Sequence, residues 1–357
     1  MKNLQKYIYL IVCLFCLTAC PTPLPEPEDR LPQTQDRFFV LCEGLFNLNN
    51  GTLAYWNQDR WISKKYFLQQ NQRGLGDTPN DIQVYGNKLY MLVNVSSQIE
   101  VVDLQSGLSI KQIPLFLEDG RARQPRHIAF HQDKAYITCF DGSVARLDTA
   151  QLIIDANVPV GRHPEGIAVA NGKLYVANSG GLDNPHYDNT VSVIDIASFR
   201  EIKKIQVADN PYKVYSDAQG DIYVNSRGDY NEMDYCLQKI DSQSDELIKT
   251  FNELQVLNFT IQGNIAYLYD FDFGSKSSEI FVMDTQSDQV VREQFITDGT
   301  IIETPYGLSV NPKNGDVFIC EAYNYLTQGD VLCFSSDGKL KYHLSDVGLN
   351  PNAVIVW

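Results

Sequence analysis

Five aspartates, Asp103, Asp148, Asp195, Asp241 and Asp284, recur at intervals of 45, 47, 46 and 43 residues, and this spacing limits what the chain can fold into. Each one closes a segment rich in β-branched and aromatic residues. The fullest copy starts at Pro164-Glu165-Gly166-Ile167-Ala168-Val169, turns at Asn171-Gly172, continues through Lys173-Leu174-Tyr175-Val176-Ala177-Asn178 and a polar loop, and ends at Val191-Ser192-Val193-Ile194-Asp195. The two-residue alternation of apolar positions is that of pleated strands, and Asn-Gly supplies the positive-φ turn of a tight hairpin. An aspartate at the end of a strand accepts from backbone N–H groups two residues on and fixes the next turn, so its recurrence requires no chemistry.

Asn57 and Ser335 extend the series by one step at each end, giving seven copies. Prolines open the copies at Pro79, Pro125, Pro164, Pro211, Pro305 and Pro351, with Gln255 to Phe259 in the missing place. Proline suits a strand's first residue, where no ladder donor is required. A period in the forties with four strands per unit predicts an all-β, seven-bladed β-propeller with no room for crossover helices. Blade one is divided: its outer strands are expected between Phe38 and Leu68, and its inner strand is supplied by the C-terminal Pro351 to Trp357. The C-terminal strand thus closes the ring and removes two free edges.

The chain divides into residues 1–19, 20–36 and 37–357. Lys2 and Lys6 precede an apolar run from Tyr7 to Leu17, too short to span a bilayer comfortably, which predicts a secretory signal. Leu17-Thr18-Ala19-Cys20 resembles the lipobox of bacterial lipoproteins, which implies cleavage before Cys20, lipidation of Cys20 and a membrane-tethered mature protein. Pro21 to Asp36 holds five prolines and no apolar periodicity, as expected of an extended tether. Its acidic residues Glu26, Glu28 and Asp29 resemble the export address of surface lipoproteins, implying an outer-membrane protein that faces the exterior.

The formal charge is −15, and loss of Lys2 and Lys6 leaves 27 basic against 44 acidic residues, a net −17. Nucleic acid is not an expected partner, and anionic ligands are repelled unless a basic patch is local. Five cysteines remain after the signal and Cys20: Cys42, Cys139, Cys236, Cys320 and Cys333. Cys320 and Cys333 fall on neighbouring strands of blade seven, where a disulfide is conceivable but geometrically demanding; buried thiols are the favoured reading of the set.

No nucleophile elbow, phosphate-binding glycine loop or His-Glu-x-x-His motif is present, so no catalytic residue is assigned and the chain is not expected to be an enzyme. His127 and His163 open neighbouring blades, but no histidine has a second ligand at metal spacing. Asp183, Asn184, Asp188 and Asn189 crowd one loop and offer oxygen ligands to calcium, although a solvated turn explains them equally and no EF-hand spacing is present. Glu165 and Glu321 are paired carboxylates only if they meet across the channel. No metal or cofactor is expected.

In a propeller the connections between second and third strands and those between blades emerge on one face, where ligand sites are usually built. These segments are rich in aromatic and amide side chains, whereas Tyr90, Tyr136, Tyr175, Tyr223 and Tyr267 recur at one strand position and read as blade core.

The unit Lys173 to Asn178 followed by Val193-Ile194-Asp195 resembles the YVTN-type propeller repeat across Phe38 to Trp357. Cys42-Glu43-Gly44-Leu45-Phe46, Gly51 to Tyr55, Tyr306 to Phe318 and Tyr323 to Gly329 resemble the surface propeller lipoproteins that capture cobalamin beside a TonB-dependent outer-membrane transporter, with Cys42 a departure from the asparagine usual there. That resemblance implies binding of cobalamin or a related corrinoid and a transporter partner. Such a ligand needs flat apolar side chains and a polar rim. Phe46, Tyr187, Tyr230, Phe273, Tyr306, Tyr323 and Tyr325 are the candidate platform, and Asn80, Arg126, Arg227 and Asn352 the candidate polar contacts. A propeller hydrolase or lactonase, or a surface interaction scaffold, is the alternative.

Overall fold

A computed structural model of the chain describes residues 36–357 apart from residues 59, 230–234, 273 and 276. The signal, Cys20 and the tether to residue 35 lie outside the described residues. Seven four-stranded antiparallel sheets follow one another along the chain, each with its strands in sequence order except where the ends meet. The first strands begin at Pro79, Pro125, Pro164, Pro211, Asn258, Pro305 and Pro351. The sixth blade thus opens at Asn258, inside the window that lacks a proline.

Burial follows the sequence pattern. The second strand of blade four, Lys173–Asn178, is buried at its last five positions because blades pack on both of its faces. Its outermost strand, Arg200–Gln206, alternates exposed and covered, one face meeting solvent. Asn171 and Gly172 have φ of 47° and 73°, both positive as a type I′ hairpin requires. The recurrent aspartates do what their position predicts: Asp103, Asp148, Asp195, Asp241 and Asp284 each accept from backbone N–H groups two or three residues on. The recurrent tyrosines are core. Two of them also tie blades together, Tyr175 donating to Asp245 at 2.5 Å and Tyr223 to Asp288 at 2.8 Å.

The ring closes as the sequence predicts. Pro351–Val356 pairs with Arg37–Cys42, with Phe38 opposite Val356 and Val40 opposite Val354. Trp357 then stacks on Phe39, ring centroids 6.0 Å apart, with the Arg37 guanidinium 5.4 Å from its ring.

One expectation is corrected, and the favoured reading of the cysteines as thiols holds. The outer strands of blade one, Thr52–Asn57 and Arg60–Ser63, end before Leu68, and a short helix, Tyr66–Asn71, follows. The helix forms because Tyr66 and Phe67 turn inward while Asn71 accepts from Ser109 N–H and donates to the Gly107 carbonyl, so that the turn plugs the gap beside blade two. The positive φ of Gly107 and the Tyr66 ring, 2.4 Å from where a Cβ would stand, leave no room for a side chain there. Cys320 and Cys333 do not face each other: Cys320 lies opposite Val331 and Cys333 opposite Phe318, a two-residue offset, and all five described cysteines are free.

Candidate functional site

The second residue of the inner strand carries a polar or aromatic side chain at the ring's upper face in six of the seven blades, and in blade six it is the core residue Phe259. This upper face is knit by backbone bonds between second-to-third-strand loops and blade connections, such as Leu115 N–H to Ser97 O, Val160 N–H to Gly142 O and Ala322 N–H to Thr304 O. The series reads Asn352, Asn80, Arg126, Glu165, Tyr212 and Tyr306 around the inner strands, with Asp81, His127 and Lys213 one residue further down.

One carboxylate organises the first half of this ring. Glu43, just past the end of its strand, accepts from Asn80 at 3.1 Å, Asn352 at 3.0 Å and the Tyr306 hydroxyl at 2.5 Å. The Tyr325 ring meets Tyr306 edge-on at 5.8 Å. Burial, and then the neighbouring Glu43 carboxylate, push the Tyr306 phenol well above its ordinary range, so it stays a donor. The Oδ1 atoms of Asn80 and Asn352 are buried and accept nothing from the described residues.

The other half is charged. Arg126 reaches Glu165 through contacts of 2.8 and 3.3 Å and lies 4.7 Å from the Phe140 ring centroid. Arg227 stacks on Tyr212 at 3.3 Å. His127 Nδ1 stands 3.4 Å from Asp81 Oδ2, and its Nε2 stands 3.4 Å from Lys213 Nζ. Burial, then the Lys213 charge, lower the His127 pKa despite Asp81, so the imidazole is neutral at pH 7. Burial works to raise the Asp81 pKa, but the His127 hydrogen bond, the nearby positive charges and the Ile128 N–H outweigh it and hold the carboxyl below its ordinary value.

The remaining candidates lie further out. Phe46 is on the rim, in a loop whose Asn47 and Asn49 N–H groups both bond to Asp77. Tyr187 is half-buried in the blade-four loop, where Arg162 gathers both Asp183 and Asp188. The two carboxylates weighed for calcium therefore already face a guanidinium. Tyr323 donates to Asp330 at 2.5 Å beside His343, which holds the Tyr323–Tyr325 turn from below. Both tyrosines have positive φ, 50° and 65°, an uncommon backbone state for bulky residues. Tyr230 and Phe273 lie outside the described residues.

Glu165 and Glu321 do not meet. Glu165 holds Arg126, while Glu321 accepts from the N–H groups of Glu303, Thr304 and Tyr323. His127 and His163 also part company, His163 accepting from Leu182 N–H and packing against Phe140. Glu43, Asp81 and Lys213 were not among the candidates. Asp81 and Lys213 were readable as the second residue after an opening proline, whereas Glu43 carries no repeat signal.

A family model described as "Domain of unknown function (DUF5074)" matches residues 36–341. The chain belongs to this family. No curated protein matches the DUF5074 chain. Among solved structures it is similar to a functionally unknown protein from Desulfotomaculum acetoxidans DSM 771, with a TM-score of 0.65 and 12% identity over 90% of this chain and 98% of that one. It is also similar to a quinonprotein alcohol dehydrogenase-like protein from Bacteroides thetaiotaomicron VPI-5482, with a TM-score of 0.62 and 16% identity over 90% and 78%. Hydrazine synthase from Kuenenia stuttgartiensis gives a TM-score of 0.60 and 17% identity over 72% and 77%. At these identities the likeness establishes the propeller fold of the DUF5074 chain and nothing about its chemistry.

Proposed function

We propose that the upper face captures a broad, amide-bearing small molecule of the corrinoid class, cobalamin or a relative, without transforming it. The carrying observation is the asymmetry of exposed apolar side chains. Phe46, Leu48, Phe116, Leu182, Ile301 and Leu326 all stand on connections of this face, whereas Leu108 alone, among the described residues, stands on a hairpin of the opposite one. Apolar side chains gathered on one rim mark an interaction surface. Inside that rim lie the aromatic faces of Tyr306 and Tyr325 and the amides of Asn80 and Asn352, the mixture that a macrocycle fringed with amides requires.

On this reading Cys20 anchors the protein to the outer membrane, facing outward, and the loaded face passes its ligand to a TonB-dependent transporter. Calorimetric titration of the soluble domain with cyanocobalamin is the test. A saturable one-to-one isotherm is expected, and its absence rejects the corrinoid.

A lactonase-type hydrolase on the same ring is the second reading, favoured by the Asp81–His127 contact, which orients a neutral imidazole as a general base requires. Base-consuming turnover of a lactone panel in a pH-stat, lost in His127→Gln, would establish it in place of simple capture.

A further inference from the structure

The carboxylates in the middle of the opening are met by the chain's own donors, whereas the ammonium among them has a single hydrogen-bond partner among the described residues. Glu165 is held by Arg126. Asp81 accepts from Ile82 N–H through Oδ1 at 2.8 Å and from Ile128 N–H through Oδ2 at 2.9 Å, with His127 Nδ1 beside it. Lys213 enters the same space from the inner strand of blade five. Its Nζ has one polar neighbour among the described residues, His127 Nε2 at 3.4 Å, and stands 5.2 Å from the Tyr212 ring centroid.

The imidazole tautomer follows from these contacts. With Nδ1–H directed to Asp81, Nε2 carries the lone pair and accepts one of the three Lys213 N–H bonds. Two donors are left without an acceptor among the described residues. Donors of this kind suit an anionic oxygen, which accepts them as charge-assisted hydrogen bonds. Arg126 and Arg227 stand close by, and with Lys213 they balance the charges of Glu43, Asp81 and Glu165, so the centre of the face carries no net negative charge in a chain whose overall charge is −15. An anion is repelled less there than over the rest of the surface.

We propose that the mouth of the channel is an oxyanion site in which Lys213 takes a carboxylate or phosphate group of the bound ligand, with His127 and Asp81 holding the ammonium in place. The proposal rests on the upper face being the ligand face and adds the ligand's charge. The rim then holds an apolar, amide-bearing body while Lys213 holds one acidic group beneath it. Lys213 is half-buried, and Tyr212 and Arg126 beside it keep some exposure, so the site is open from above.

The test follows the imidazole resonances of His127, assigned with His127→Gln, in protein carrying isotope-labelled histidine. Sodium acetate and sodium phosphate are titrated separately at constant ionic strength. A saturable shift of the His127 signal is expected with at least one of them, and the one that saturates at lower concentration identifies the oxyanion. The shift should vanish in Lys213→Gln and persist in Lys213→Arg, which keeps the charge. No saturable shift in the parent protein with either anion, or an equal shift in Lys213→Gln, overturns the proposal. Because acetate and phosphate are read without cobalamin, uptake at Lys213 in a protein that ignores cyanocobalamin rejects the corrinoid and leaves the oxyanion site standing.

Discussion

Tyr306 in blade seven donates its hydroxyl to Glu43 in blade one at 2.5 Å, across the seam where the ring closes and between residues 263 positions apart in the chain. Because Glu43 also accepts from Asn80 and Asn352, one carboxylate joins blades seven, one and two at the rim of the opening. The upper face and the closure of the fold therefore share residues.

Tyr306→Phe removes that bond and keeps the ring. Hydrogen bonds to charged groups contribute about 1.5–3 kcal/mol. Urea unfolding should show a loss at the lower end of that range, since two amides remain on Glu43; an unchanged midpoint would show that the seam does not depend on the bond.

Phe46 and Leu326 are the cleaner probes of binding. They are 70% and 71% exposed, so the double substitution Phe46→Ala/Leu326→Ala should leave the melting temperature unchanged. It should raise the Kd for cyanocobalamin at least tenfold, about 1.4 kcal/mol. A parent-like isotherm from the double variant places the contact elsewhere.

Deleting Asn350 to Trp357 removes the inner strand of blade one together with Val354, Val356 and the Trp357 stack on Phe39. Two bare edges result, and cooperative unfolding should be abolished. Calorimetry decides this, and a single sharp transition in the truncated protein would show that the ring holds without its clasp.

Acid should loosen the blades through their turns. Asp103, Asp195 and Asp241 are held below the ordinary carboxylate range chiefly by turn hydrogen bonds from Ser106, Ser198 and Gln243. Asp148 is lowered to about 2, first by Lys134 and then by Gln151 N–H. A carboxyl depressed in the folded state contributes stability above its unfolded pKa, near 3.9, and loses it as pH falls through the folded value. Melting temperature should therefore hold from neutrality to about pH 5 and fall steeply below about pH 4. Asp148→Asn together with Asp195→Asn should flatten that fall, and an equally steep one in the double variant would assign the acid lability to other groups.

Cys20→Ala should release the protein from the membrane fraction into the soluble one, because one lipidated cysteine is the whole anchor on this reading. Fractionation and immunoblotting read the outcome, and continued membrane retention would remove the lipobox assignment.

The blade count, the opening prolines, the aspartate turns and the closing strand were all legible in the sequence. Each is written locally, in a two-residue alternation, a turn dipeptide or a side chain that bonds its own backbone two residues on. The short helix at Tyr66–Asn71 was not legible, because it forms around partners in blade two, Ser109 and Gly107. Nor was the cysteine register, which a two-residue offset between strands decides. The site divides in the same way. Sequence placed Asn80, Arg126, Tyr306 and Asn352 on the inner strands by their position after a proline, but it could not bring Tyr306 to Glu43 or Lys213 to His127. In a propeller, neighbours along the chain lie within one blade, whereas neighbours at the central opening come from different blades. Only closure of the ring brings them within hydrogen-bond reach.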